Sequence, residues 1–261
     1  MALPCPLTSP CIVCRRQCNP RMQNTTGLIW SIQVGLPEQR HPDPSNDPAQ
    51  KPWATGIFKR TVTGPVRLHR HNLEGDGQAD LVHHGGPDKA VCAYPSEHWF
   101  HWHGLLPPHQ LTGGAFGENF TLQGLTEEYV CIGDVFSVGS AVVQVSQPRQ
   151  PCWKLARLWQ RKDLALQVEQ TGFTGWYFRV LQEGLVETNA ILNLVERSCP
   201  EWTIATANHI MHHERDNRIA AEHLSRCPLL SSSWQETLRQ RGQNRNEPDP
   251  QRRRTGDNHS E

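Results

Sequence analysis

The segment Ser146-Gln147-Pro148-Arg149-Gln150-Pro151-Cys152-Trp153-Lys154 holds one cysteine between prolines, at the end of an apolar run. The thiolate, not the thiol, attacks electrophiles and binds soft metals, so the chemistry turns on what would ionise Cys152. Val142 to Val145 reads as a strand, and the two prolines keep it from continuing into a ladder. Trp153 to Gln170 has helical periodicity. Cys152 is therefore expected at or just before a helix N-terminus. There, unpaired N–H groups and the helix dipole favour an anion, and Arg149 and Lys154 add positive charge. Free cysteine is also among the most buried residue types, so a structural thiol is the alternative reading.

Two further loops carry candidate groups. In Val82-His83-His84-Gly85-Gly86-Pro87-Asp88-Lys89, the glycines let backbone approach a ligand and their N–H groups can form an anion nest beside Lys89. A tight turn between strands accounts for Gly-Gly-Pro equally well. Gly113 to Phe120 is a Gly-rich loop presenting one acid, Glu118, and one amide, Asn119, which could simply bond to local backbone.

Other groupings point to metals less well. His98, His101 and His103 lie among Trp99, Phe100 and Trp102, which suggests a packed helix with solvent-facing histidines rather than zinc. His209, His212 and His213 read as surface histidines, with only Glu214 beside them. Cys5, Cys11, Cys14 and Cys18 could hold zinc or an iron–sulfur cluster, but no strand or helix pattern surrounds them. Asp76, Gln78 and Asp80 imitate a calcium loop whose closing Glu is replaced by Pro87, and that site is rejected.

The elements that must position these loops are mostly short strands. Gly27–Val34, Thr55–Arg60, Val66–Arg70, Tyr129–Ile132, Val135–Val138, Ala141–Ser146, Gly175–Val180 and Ala190–Val195 have strand patterns, separated by Gly, Asp and Ser turns. A short helix, Glu97–His103, is capped by Ser96. Helices follow at Thr203–His212, Asp216–Ser225 and Ser233–Arg241, the last opened by a Ser233/Glu236 capping box. The expected architecture is mostly β with α, a β-barrel-like domain followed by a small helical module. The boundaries are a disordered Cys/Pro-rich tail over 1–26, the β-domain over 27–200, the helices over 201–241 and a disordered tail over 242–261.

With 261 residues there is room for one large domain or a medium domain with an appendage. Lys plus Arg and Asp plus Glu both total 26, so no basic field exists to hold a nucleic-acid duplex, and a free base or nucleoside fits better. Nine irregularly spaced cysteines argue against a secreted disulfide scaffold. Without a signal-like start or a membrane-spanning run, a cytoplasmic protein is expected.

Together, and in this order, Val82 to Ala90, Phe116 to Phe120 and the Cys152 segment resemble the MOSC domain, named for the molybdenum cofactor sulfurase C-terminus. The likeness is strongest to the stand-alone bacterial YiiM type, associated with detoxifying N-hydroxylated base analogues such as 6-hydroxylaminopurine. It runs from about Gly27 to about Arg241. The resemblance implies a MOSC-type β-barrel with a three-helix module, and Cys152 as protein ligand to molybdenum in a molybdopterin cofactor. Lys59, His84, Gly85, Gly86, Asn119, Gln147, Arg149 and Lys154 become candidate cofactor contacts, and Glu118 a candidate proton donor. Tyr94, Phe116 and Trp153 could receive a planar base or belong to the core. The implied activity is reduction of an N-hydroxylated small molecule to its amine. Electrons would come from a separate reductase, because no flavin, nicotinamide or ferredoxin motif follows residue 26. A persulfide carrier on Cys152 and a non-catalytic pterin-binding module are the alternatives, with pyridoxal phosphate as a further cofactor option. Oligomeric state is left open.

Overall fold

Alternating apolar side chains from Gly27 onward require a strand with one buried face. In the computed structural model, which describes residues 26–41, 51–245 and 249–256, that strand is β1 (Thr26–Val34). The short β2 (Glu38–Arg40) and β3 (Trp53–Thr55) pair as a ribbon, β4 (Arg60–Thr61) joins the end of β1, and β5 (Val66–Leu68) follows. Next come β6 (Val91–Pro95), helix α1 (Trp99–Trp102), β7 (Phe120–Gln123), β8 (Val135–Val138) and β9 (Ala141–Pro148). Helices α2 (Trp153–Leu158) and α3 (Leu164–Thr171) lead into β10 (Trp176–Gln182). After β11 (Gly184–Val186), which pairs with β5, β12 (Ile191–Glu196) completes the sheet.

Seven strands close into a barrel in the order β12-β8-β9-β10-β6-β7-β1, with β1 pairing back onto β12. Neighbours are antiparallel except β6 and β7. Closure leaves no long unpaired edge. The barrel is filled by inward residues such as Ile29, Phe120, Phe136, Val143, Trp176 and Phe178. The same apolar cluster continues into Trp202, Ile204, Leu224, Trp234 and Leu238 of the helical module, α4 (Ile204–His212), α5 (Arg218–Ser225) and α6 (Ser232–Gly242). A seven-stranded barrel followed by a small helical module is thus the architecture expected from the strand and helix patterns.

A second cluster, Tyr94, Trp102, Phe116, Leu155, Leu164 and Val168, packs α1, α2 and α3 against the barrel wall. Within it Tyr94 stacks on Phe116 with ring centroids 4.3 Å apart, and Trp102 Nε1 donates to the Tyr94 hydroxyl at 2.6 Å. Both rings are fully buried, so Tyr94 and Phe116 belong to the core and do not receive a base.

Local pairing departs from the pattern in several places. Thr55 to Arg60 is not one strand: the Ile57 N–H turns in to Thr55 Oγ1 at 3.1 Å, and Lys59 is drawn inward to Asp76. Tyr129 to Ile132 forms a turn, because the Cys131 N–H is taken by Asp134 Oδ2 at 2.8 Å. The helix expected over Trp153–Gln170 breaks at Gln160, whose φ is 51°. Ser96 caps no helix, and α6 is capped by Ser231, whose Oγ accepts from the Trp234 N–H at 3.4 Å, rather than by the Ser233/Glu236 box. Within the C-terminal stretch expected to lack structure, Pro250–Thr255 forms a helix, α7. Its Asp249 cap, Pro250 in the first turn and left-handed Gly256 are strong local signals that an Arg- and Asn-rich composition obscures.

Candidate active site

Cys152 leaves β9 through Pro148 and Pro151 and sits in extended backbone (φ −131°, ψ 172°) as the residue capping α2. It is 7% exposed. Its sulfur lies 3.7 Å from Nε2 of His84, which arrives from the loop before β6. Burial disfavours the thiolate, but the His84 contact and charge, the Lys154 amide and the Arg149 charge outweigh it and bring the thiol down to about 7. At six residues α2 is too short for a large macrodipole, so His84, absent from the expectation for thiol activation, supplies much of the effect.

The cysteine opens onto a cleft shared with Thr55, Lys59, Asp76, His84 and Arg149. Its walls carry four cationic side chains, Lys59, Lys89, Arg149 and Lys154, against two carboxylates, Asp76 and Asp80. Both acids are engaged. Asp76 forms a buried ion pair with Lys59 and accepts from the Gly35 N–H at 2.9 Å, while Asp80 accepts from the Val82 and His83 amides and the His83 ring. Lys89 donates to the His83 carbonyl at 2.7 Å, and burial lowers its pKa. Arg149 is 7% exposed, and its guanidinium has no hydrogen bond or ion pair among the described residues. Acidic groups around it, Cys92, Tyr177, Cys152 and the buried carboxylate Glu118, hold its pKa above the ordinary value against the cost of burial. A buried guanidinium with no direct hydrogen bond or ion pair keeps its donors for a ligand, so the cleft suits an anion.

The remaining candidates divide between the cleft and its supports. Lys59 and Asn119 line it, but both are committed to protein: Asn119 Oδ1 accepts from the Cys92 N–H at 3.0 Å, and its amide donates to Asp76 Oδ2 and the Gln33 carbonyl. Glu118 is fully buried and outside the cleft. Its carboxylate accepts from the Gly114 and Phe116 amides and from Thr121 Oγ1, so it fixes the Gly-rich loop. Gln147 also lies away from the cleft, buried and facing Ser233 of α6, because residue alternation along β9 points it to the other side from Pro148. Gly85 and Gly86 serve the turn: Gly85 lies against the Leu81 backbone, and Gly86 (φ 94°) opens the short 3₁₀ turn Pro87–Lys89. Neither lines the cleft.

Three contributors were not legible in the chain. Cys92 and Tyr177 face each other across the β6–β10 pair and line the cleft, with the Cys92 thiol pushed up by burial to about 11 and the Tyr177 hydroxyl raised by burial and by Cys92. Gln150 occupies the place expected of Gln147. Strand alternation could mark Cys92 as facing one side of β6, but which side faces the cleft depends on register. Trp153 lies beside the cleft against Trp53, with Arg157 stacked 4.4 Å over its ring.

The histidine groups do not form metal centres. His98 is buried rather than solvent-facing and bonds Glu127 at 2.7 Å, while stacking on Phe173. The His212 side chain is likewise largely buried, 3.8 Å from Glu169, and burial lowers its pKa to about 4. Among the described residues no group of three His, Cys, Asp or Glu side chains could hold a metal ion. Cys5, Cys11, Cys14 and Cys18 lie outside the described residues. No helix among the described residues is long and apolar enough to cross a membrane.

Comparison with known proteins agrees with this layout. A family model described as the MOSC domain matches residues 80–192, and one described as the YiiM-like, 3-alpha helix domain matches residues 202–243. YflK of Bacillus subtilis (strain 168) is 50% identical over 206 residues, covering 79% of this chain and 90% of that protein. A protein named Reductase from Gibberella moniliformis (strain M3125 / FGSC 7600) is 31% identical over 179 residues, 67% of this chain and 31% of that protein. Among solved structures, YiiM from Geobacillus stearothermophilus matches with a TM-score of 0.68 and 44% identity, covering 83% of this chain and 99% of that one.

Proposed function

This chain belongs to the MOSC-domain family, in the branch that carries the YiiM-like three-helix domain, and on that footing we propose that it is a molybdenum-cofactor-dependent reductase of N-hydroxylated compounds. The observation that carries the reading is the buried, unpartnered Arg149 guanidinium beside a cysteine poised to ionise near neutral pH. A dithiolene pterin with its phosphate is an anion with a thiophilic metal, and this donor set fits both parts.

When bound, the cofactor supplies a two-electron couple at a soft metal. Cys152 would be its protein ligand, and Arg149, Lys154 and Lys89, which line the same cleft, would balance the negative charge of the pterin and phosphate. The Lys59–Asp76–Asn119 cluster braces the cleft wall. Reduction of R–NHOH consumes two electrons and two protons and yields R–NH₂ and water. Among the cleft-lining side chains we assign proton delivery to His84, whose Nε2 stands beside the Cys152 sulfur, in place of the expected Glu118. The electrons come from a separate reductase. The name of the Gibberella moniliformis relative, of which this chain matches about a third, supports a redox role.

The test is molybdenum and pterin content of protein made in a cofactor-producing host, for the native chain and for Cys152→Ser. Metal near stoichiometric in the first and lost in the second, followed by donor-driven conversion of a hydroxylaminopurine to its amine, is the expected result. Protein without molybdenum in either form, but with cyanide-labile sulfur on Cys152, would replace this reading with the persulfide carrier. Cofactor retained with no turnover under any donor would leave the binding module.

A further inference from the structure

We propose that the C-terminal helix α7 is a positioning clamp on the Cys152 loop, supplied by a segment beyond the residues that the two family models match. Asp249 to Gly256 encodes a complete miniature helix: Asp249 Oδ1 accepts from the Gln251 N–H at 2.8 Å, Pro250 opens the first turn, and Gly256 closes it at φ 70°. Six helical residues do not hold together in water alone, so docking must hold them.

The docking is specific. Glu169 on α3, with a side chain 2% exposed, receives Arg253 Nη2 at 2.7 Å and Arg254 Nε at 2.8 Å, with His212 Nδ1 of α4 at 3.8 Å. A carboxylate buried this deeply needs its cations, and two of the three groups around it come from α7. The other end of the Arg253 fork, Nη1, donates to the carbonyl of Pro151. Gly256 lies on the Trp153 ring so closely that a Cβ there would stand 2.5 Å from the indole. The residues immediately before and after Cys152 are therefore both held by α7. Arg253 is the link, since a single planar guanidinium spans the buried acid and the loop carbonyl.

The clamp fixes how far the Cys152 sulfur is exposed and how it faces His84, and it does so in the protein without cofactor. It rests on Cys152 being the reactive group of the cleft, whatever the cofactor or substrate.

The experiment is the rate of iodoacetamide alkylation of Cys152 and of Cys92 in cofactor-free protein at one pH, followed by peptide mass spectrometry. Arg253→Ala keeps the Arg254–Glu169 pair and removes the bond to Pro151. Its Cys152 rate should rise by about fivefold, as the loss of one hydrogen bond allows. Cys92, on β6 and away from α7, should keep its native rate. Gly256→Val, which leaves both arginines in place and forces α7 off Trp153, should move the Cys152 rate in the same direction. Unchanged Cys152 rates in both variants, or equal rises at Cys152 and Cys92 from general loosening, would overturn the proposal. Because no cofactor is present, neither result bears on the proposed reaction, so the two readings fail separately.

Discussion

Nε2 of His84 stands 3.7 Å from the Cys152 sulfur, joining the Gly-Gly-Pro loop before β6 to the Pro-Cys loop after β9. Two segments 68 residues apart in the chain thus make one reactive unit, and the pair sets the ionisation of the thiol. Alkylation of Cys152 should follow a titration with a midpoint near the native value of about 7. In His84→Ala the midpoint should move back towards the ordinary thiol value. At pH 7 the alkylation rate should fall by about five- to tenfold, less than the lost thiolate fraction, because a more basic thiolate is a better nucleophile. The linkage has a definite sign. A depressed acid pKa stabilises the fold at pH above the unfolded value of 9.0, and that contribution is lost as pH falls through about 7. His84→Ala should remove it, seen as a flatter dependence of melting temperature on pH between those values.

Arg149→Met tests whether the cleft is built for an anion. Removing a buried guanidinium that has no direct ion-pair partner should change stability by about 1 kcal/mol or less, whereas truncating a directly paired one would cost several. Denaturant unfolding of cofactor-free protein measures this. The same variant should retain much less pterin and molybdenum than native protein. A large loss of stability would show that Arg149 serves the fold instead.

Glu118 bears three hydrogen bonds from within its own loop and strand and none towards the cleft. Glu118→Ala should therefore destabilise the protein by about 2–4 kcal/mol through the buried donors it leaves unmet. Thiol reactivity of Cys152 in the folded fraction should stay native. Denaturant melts and the alkylation assay together separate this from a catalytic loss.

Cys199 and Cys227 place their sulfurs 3.6 Å apart where the chain leaving β12 meets the turn after α5. Burial, then the neighbouring Cys227, pushes the Cys199 thiol up to about 12, so the pair should resist air oxidation at neutral pH. Diamide at alkaline pH should oxidise it to a disulfide, taking two hydrogens from the protein and reducing the diamide to a hydrazine. The cross-link should raise unfolding stability by about 3 kcal/mol, and Cys227→Ser should abolish the gain. Non-reducing peptide mass spectrometry and thermal melts check both parts.

Much of this molecule was legible locally. Apolar alternation marked β1, β8 and β9, helical spacing marked α4, α5 and α6, and the proline-flanked Cys152 advertised itself, because these signals need only near neighbours in the chain. The motif order carried the family. Tertiary structure alone decided which candidates reach the cleft. Glu118 and Asn119 sit side by side in the chain, yet one is sealed into its loop and the other braces Asp76 and Cys92. Gln147 and Gln150 exchange places because strand alternation and the two prolines set their directions. Asp76, dismissed as half of a calcium loop, proves to be the buried partner of Lys59. The physical reason is common to all of them: a polar side chain's role is set by the partner that satisfies it once water is excluded, and barrel closure and register bring that partner from far along the chain. The C-terminal helix is the sharpest case, since its caps were written locally but its purpose lay in a carboxylate on α3, 85 residues away.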